Sequence, residues 1–516
     1  MSHCNHNECN RYVYKSKEKC ILHCKKNGSF YNKDFDEAFY EELCKYIEIT
    51  TSKELTLKGV ASGYANESTV SNYLRSKSLA DQKQENTYKF LTEISLIFEG
   101  VDFPRIESEF NYFKILEKIG SILFKNCEFW QCDEVLTKRE NISYENCKFK
   151  SEWILKAFTQ SIEGDSLIYK NCEFKENVSL IPENAYVYTE RAYFNNCNFK
   201  KKLEIERVIF SKCFIENNND IRTEIGQFSI ARCNFEEKFF LNNCNIKNFV
   251  IKDSKFVSKF EFKNNTVMQD FEINNTNYSK LADMYETNFL SKFKIKKSIF
   301  NDFVAFEKCK FGENDKENAA LFQYVTFYSF ANFRNTKFFS GLDIETINPK
   351  ESPNFLGTSV NPINSNRETF RIIKNSFIKT ENNIEANKYF AEEMNKYRKE
   401  IRETGIWHEK IILFYNGFFS NFGQSYIRPL IALLVFTAIY YSLQIGQKEN
   451  WLYEIYPAAN VFISCFSYHL NGFARSLIPF NRFLYEGMEF LSLFFYIFNS
   501  SFIWLIIVAI KRRTKR

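Results

Sequence analysis

From residue 122 to 339 the chain repeats one short pattern: a small residue, then any residue, then a large apolar or aromatic one. Members are Cys233/Phe235, Cys244/Ile246, Ser254/Phe256, Thr266/Met268, Thr276/Tyr278, Thr287/Phe289, Ser298/Phe300, Cys309/Phe311, Thr326/Tyr328 and Thr336/Phe338. Between them sits a second apolar pair, as in Phe249/Ile251 and Phe260/Phe262. A step of two residues points both side chains to one face of an extended segment, whereas a helix, with its period of 3.6, keeps no such pair on one face. Successive pairs lie roughly five or ten residues apart, so the chain turns a corner about every five residues, and four corners close a coil of about twenty. Stacked coils of this kind form a β-helix whose main-chain hydrogen bonds run from coil to coil. The small residue leaves room for the large one in a narrow interior.

The units Asn126-Cys127-Glu128-Phe129, Asn146-Cys147-Lys148-Phe149, Asn171-Cys172-Glu173-Phe174 and Asn196-Cys197-Asn198-Phe199 resemble pentapeptide repeats, with the small residue two before a central Phe. The resemblance spans 122–340, closely in its second half and loosely in its first. It implies a mainly β fold, a right-handed four-sided β-helix of about ten coils and roughly 50 Å. Flanking helices and a C-terminal transmembrane hairpin complete the expected layout. The expected divisions are 1–26, a zinc-binding module; 27–121, a helical and mixed cap; 122–340, the β-helix; 341–425, a linker with a juxtamembrane helix; and 426–516, the membrane hairpin with its basic tail.

Outside the array the pattern changes to helical spacing. Phe35, Phe39, Leu43, Tyr46 and Ile47 mark one face of a helix over 34–47, with Asp34 as N-cap and Glu37 completing a capping box. Such a helix suits the exposed end of a β-helix, which otherwise leaves free strand edges. Residues 340–380, with Pro349, Pro353 and Pro362, read as a loop leaving the rod. A charged helix follows over 383–403, with Ala386, Tyr389, Phe390, Met394 and Tyr397 on one side.

Residues 429–447 and 490–510 carry no charge, and each run is long enough to cross a bilayer. The basic end Lys511-Arg512-Arg513-Thr514-Lys515-Arg516 places the C-terminus in the cytoplasm by the positive-inside rule. Two spans then put the N-terminal part on the same side, so a multi-pass protein of a bacterial inner membrane with both termini cytoplasmic is expected. The apolar segment 455–474 reads as re-entrant or interfacial. The lead-in 422–430 resembles that of membrane-anchored pentapeptide-repeat proteins, and the hairpin resembles the layout of two-helix cation channels. The potassium filter Thr-Val-Gly-Tyr-Gly is absent. Asn499, Ser500 and Ser501 fall mid-span and are expected to bond between helices, with pore lining as the alternative.

Net charge is only +6, and Lys plus Arg balance Asp plus Glu across 121–345, so no nucleic-acid partner is expected. The chain has 15 cysteines, which in the array take inward positions and read as small, reduced core residues. Residues 1–26 are polar, with no signal-peptide pattern. They hold the densest chemistry. Cys4 and Cys9, then Cys20, His23 and Cys24, give two ligand pairs suited to a tetrahedral structural Zn2+ site. The expected ligands are Cys4, Cys9, Cys20 and His23, with Cys24 or His6 as substitutes. No nucleophile–base pair stands out, and His408 beside Trp407 and Glu409 reads as structural. The expected function is a non-enzymatic, membrane-anchored scaffold binding the lipid bilayer and a protein partner whose identity the sequence leaves open. An oligomeric pore with the β-helix as sensor or assembly domain is the alternative, and a homo-oligomer is compatible with either.

Overall fold

The computed structural model describes residues 3–6, 9–15, 17–57, 92, 94–158, 167–183, 185–217, 222–446, 469, 472–473, 476 and 489–514. They fall into two compact units, 1–341 with 346–361, and 342–345 with 362–516.

In the first unit, short parallel strands stack in four ladders to form a β-solenoid of about twelve turns. One ladder climbs from Ser95–Glu99 through Ser121–Lys125 and Ile142–Glu145 to Ala331–Asn332. A second begins at Asp102–Phe103 and Glu128–Phe129 and ends at Lys337–Phe338 and Ser359–Val360. The third starts at Trp153–Ile154 and Val178–Leu180, and the fourth runs from Val187–Thr189 to Asn348–Pro349. Three nine-residue strands, Asn198–Glu206, Thr223–Ala231 and Cys244–Lys252, belong to the second and third ladders at once. The coils therefore begin before residue 122. They also continue past 340: Pro349 lies in a strand, so the loop expected over 340–380 is instead the last coil followed by a helix.

Parallel in-register pairing puts like on like. Phe103, Phe129, Phe149, Phe174 and Phe199 form one column, with ring centroids 4.9, 5.3, 4.5 and 5.1 Å apart. Phe235, Phe256, Tyr278 and Phe300 form another at 4.7, 5.1 and 4.7 Å. All of these rings are buried, and each large aromatic removed from water contributes about 2–3 kcal/mol. Two expected pairs are off by one residue. Met268 and Tyr328 are exposed, and the inward residues are Asn265 with Val267 and Val325 with Phe327. A one-residue slip exchanges the faces of a strand, and the local sequence fits either frame.

The small inward residue does more than save space. Cys127 and Cys147 donate S–H to the carbonyls of Phe98 and Phe124, each 3.3 Å away in the coil before. Thr287, Thr336 and Thr358 donate to Phe262, Phe306 and Phe333, each at 2.7 Å. Carbonyls at these buried corners thus find donors, where an unpaired one would destabilise by about 1–3 kcal/mol. The residue before the small one sits in the left-handed region: Asn126, Asn146, Asn171, Asn196 and Asn243 have φ of 52–55°. Asn tolerates this backbone better than other residues with a Cβ, which explains the Asn-Cys dipeptides.

Helix α1, Lys33–Leu57, covers the start of the solenoid. Phe39, Leu43 and Ile47 are fully buried, Phe39 meets Phe103 and Tyr112, and Tyr46 stacks on Phe98 at 5.4 Å. The cap is Asn32 rather than Asp34: its Oδ1 accepts the N–H of Phe35 at 3.1 Å.

The second unit is helical. Helix α2, Arg367–Lys379, is capped by Asn366, whose Oδ1 accepts the N–H of Thr369 at 2.8 Å. It packs on α3, Asn383–Thr404, where Phe377 stacks on Tyr389 at 5.7 Å and Lys374 pairs with the buried Glu393 at 2.8 Å. Helix α4 is Trp407–Ser420, α5 is Ile427–Gly446 and α6 is Glu489–Thr514. Helices α5 and α6 contain segments, Ile427–Ile445 and Leu491–Thr514, long and apolar enough to cross a membrane. They pack through Leu433, Phe502 and Leu505, with Phe436 on Phe498 and Tyr440 on Phe495. Asn499 donates to Thr437 Oγ1 at 3.3 Å and Tyr440 to Ser492 at 2.8 Å, while Ser501 bonds Tyr415 of α4. Asn499 and Ser501 thus bond between helices. The expected re-entrant segment, 455–474, lies outside the described residues apart from 469 and 472–473.

Candidate metal centre

The first residues fold as a small hairpin followed by one helical turn. His3 bridges Tyr12 antiparallel, and the N–H of Cys4 reaches the carbonyl of Arg11 at 2.8 Å. This brings Cys4 beside Cys9, whose N–H bonds the His6 carbonyl at 3.1 Å. The helical turn is held by the N–H groups of His23 and Cys24, both on the Cys20 carbonyl. Residues three apart on such a turn share a face, so Cys20 and His23 point the same way.

Cys4, Cys9, Cys20 and His23 converge there, all buried, with one ligand atom from each lying within 4.8 Å of the others. Sγ of Cys9 is 3.8 Å from Sγ of Cys20, and Nδ1 of His23 lies 3.3 Å from Cys20 and 3.7 Å from Cys4. Such a group can hold a metal ion. The two substitutes point elsewhere: Cys24 donates to the Ile21 carbonyl, and His6 stacks on the His23 ring at 4.1 Å.

Burial, followed by the neighbouring His6, holds the His23 imidazole down to about 3, so it is neutral at ordinary pH. Burial pushes the Cys20 thiol up to about 12, with the Cys9 and Cys4 sulfurs adding to the rise. Cys4 is also buried, but main-chain hydrogen bonds at Cys20 and His6 and the Cys9 and Cys20 thiols outweigh that and lower it. A neutral imidazole beside three sulfurs is a soft donor set of the kind that can hold a metal ion.

The module is fixed to the solenoid by a group the sequence did not single out. The Asp102 N–H bonds the Leu22 carbonyl at 2.9 Å, while Asp102 Oδ2 accepts the Lys26 N–H at 3.0 Å and Oδ1 accepts Trp130 Nε1–H at 2.9 Å. Lys26 Nζ donates to the carbonyls of Ile21 and Leu22 at 2.6 and 2.9 Å, closing the turn that carries His23, and lies 5.2 Å over the Phe39 ring. Burial brings this lysine down to about 8, against the pull of Cys24 and Asp102. Arg11 completes the attachment through Glu42 of α1 at 2.7 Å. Among the described residues every cysteine is free of a disulfide.

No protein-family model, no curated protein and no solved structure matches the chain significantly.

Proposed function

We propose that this chain is a non-enzymatic, membrane-anchored scaffold of the pentapeptide-repeat type. In this reading a zinc-stapled module closes the start of the solenoid, and two helices hold it in a bilayer. The observation that carries the reading is the filling of the coils. Their inward columns are occupied by stacked rings such as Phe235, Phe256 and Tyr278, leaving the outward faces to meet a partner protein. The outward positions pair charge with charge across coils, as in Lys125–Glu145–Lys170 and Arg232–Glu206. Exposed pairs add little stability and suit a solvated recognition surface.

Zinc is the metal we propose. Tetrahedral Zn2+ with bonds of about 2.3 Å to sulfur and about 2.0–2.1 Å to nitrogen separates two sulfurs by about 3.8 Å and a sulfur from the nitrogen by about 3.5 Å. The 3.8 Å between Cys9 and Cys20 and the 3.3–3.7 Å to His23 fit that figure. Four protein donors leave no open position, so the role is structural. The membrane is the bacterial inner membrane, with both termini in the cytoplasm, where thiols stay reduced.

An oligomeric pore is the second reading. The observation behind it is Asn499, a fully buried mid-span amide whose Oδ1 has no hydrogen-bond partner among the described residues. Membrane fractionation and planar-bilayer recording separate the two. A scaffold resists alkaline extraction from the membrane and leaves the bilayer silent. Discrete conductance steps would replace it with the pore, and release by alkali would remove the anchor.

A further inference from the structure

Helix α4 carries an apolar stripe that the two candidate spans do not cover. Trp407, Ile411, Phe414 and Phe418 are 71, 57, 60 and 59 % exposed. Their spacing of four, three and four residues places them on one helix face, and Phe414 stacks on Phe418 at 5.7 Å. No charged residue occurs from Ile411 through Phe422. The flanking sides of α4 are occupied. Tyr415 bonds Ser501 of α6, and Phe419 meets Phe502 at 4.9 Å. Gly417 lies so close to α3 that a Cβ there would come 2.5 Å from the Arg398 guanidinium.

We propose that α4 enters the bilayer beside α6, with this stripe facing the lipid acyl chains. The proposal rests on the anchor reading above. Two observations select lipid as the occupant. The stripe belongs to a helix packed directly on α6, whose own exposed residues Ile497 and Trp504 take lipid in the same reading, so both helices of the packed pair expose apolar side chains. The helix has 14 residues. At 1.5 Å per residue it reaches only about 21 Å, too short for a hydrocarbon core of about 30 Å. It therefore packs against the mid-span residues Ser501 and Phe502 of α6 without itself crossing the bilayer. Its titratable residues other than Tyr415, namely His408, Glu409 and Lys410, all fall in the first turn, beside the stripe's end at Trp407. Trp at such a boundary is typical of the interface.

The test uses the full chain in nanodiscs of phosphatidylethanolamine and phosphatidylglycerol, with a diazirine amino acid replacing Phe414, Ile431 of α5 or Tyr324 of the solenoid, one at a time. Lipid adducts at positions 414 and 431, with only background at 324, support the proposal. Adducts at 431 but not at 414 overturn it and leave the anchor intact. Lipid adducts at neither 414 nor 431 overturn both. Adducts from 414 to a second copy of the chain make the stripe an interface between subunits and also overturn the proposal.

Discussion

Sγ of Cys20 lies 3.3 Å from Nδ1 of His23, three residues further on, and both side chains are buried. With Cys4 and Cys9 beside them, the four donors form, among the described residues, the one His/Cys/Asp/Glu cluster that could hold a metal ion. Metal binding there must displace thiol protons. Burial keeps Cys20 protonated far above neutrality, whereas His23, held down to about 3, has no proton to lose at pH 7. Adding Zn2+ to the metal-free chain at pH 7 should therefore release thiol protons, that of Cys20 among them. A pH-indicator titration reads this directly, and Cys20→Ser should lower the count and weaken binding.

The corner donors set a second expectation. Thr287 Oγ1 donates to the Phe262 carbonyl at 2.7 Å inside the solenoid. Thr287→Val keeps the volume and strands that carbonyl, so the solenoid should lose about 1–3 kcal/mol in denaturant unfolding. Thr287→Ser retains the donor and should lose less. Equal losses for both would mean that the contact is only steric.

The left-handed corners allow a change in either direction. Asn264 has φ of 55° and Lys297 of 49°. Asn264→Ala should destabilise by about 1 kcal/mol, because Ala pays the full strain of this backbone. Lys297→Asn should stabilise by a few tenths of a kcal/mol (roughly 0.5) for the converse reason. Unfolding midpoints of the two variants should move in opposite senses.

Much of this was legible in sequence, and the misses have physical causes. The small–large alternation gives the solenoid because a side-chain period of two with a corner every five residues suits no helix. The same alternation is ambiguous wherever neighbours are both bulky, as at Val325-Thr326-Phe327-Tyr328, and there the frame slipped. Asn126-Cys127 carries the corner's signal, since Asn tolerates positive φ, whereas the S–H donated by the Cys shows only in the fold. Pro349 has the local signature of a loop, yet at the end of the fourth ladder it forms a strand. The convergence of Cys4, Cys9, Cys20 and His23 is readable from their spacing. That of Lys26 and Asp102, 76 residues apart, is not.

That buried lysine gives a pH dependence. Its folded value is lowered to about 8 from an ordinary 10.5, so charging it opposes folding. The penalty is complete below about pH 8 and lifts as pH rises towards 10.5, because over that window the unfolded chain binds more protons. Lys26 alone should therefore add about 3 kcal/mol of stability between those limits. The check is the difference between wild type and Lys26→Met across pH 7–11, in which thiol titrations common to both cancel. The wild type should gain relative to the variant as pH rises, and a flat difference would show that Lys26 is not held in its buried site.

The metal content of the purified full-length chain, measured by inductively coupled plasma mass spectrometry, decides whether the four buried donors hold zinc. One Zn2+ per chain is expected, lost in a Cys9→Ser/Cys20→Ser variant. Wild-type protein that carries no stoichiometric metal, and takes up none when Zn2+ is added under reducing conditions, would contradict it.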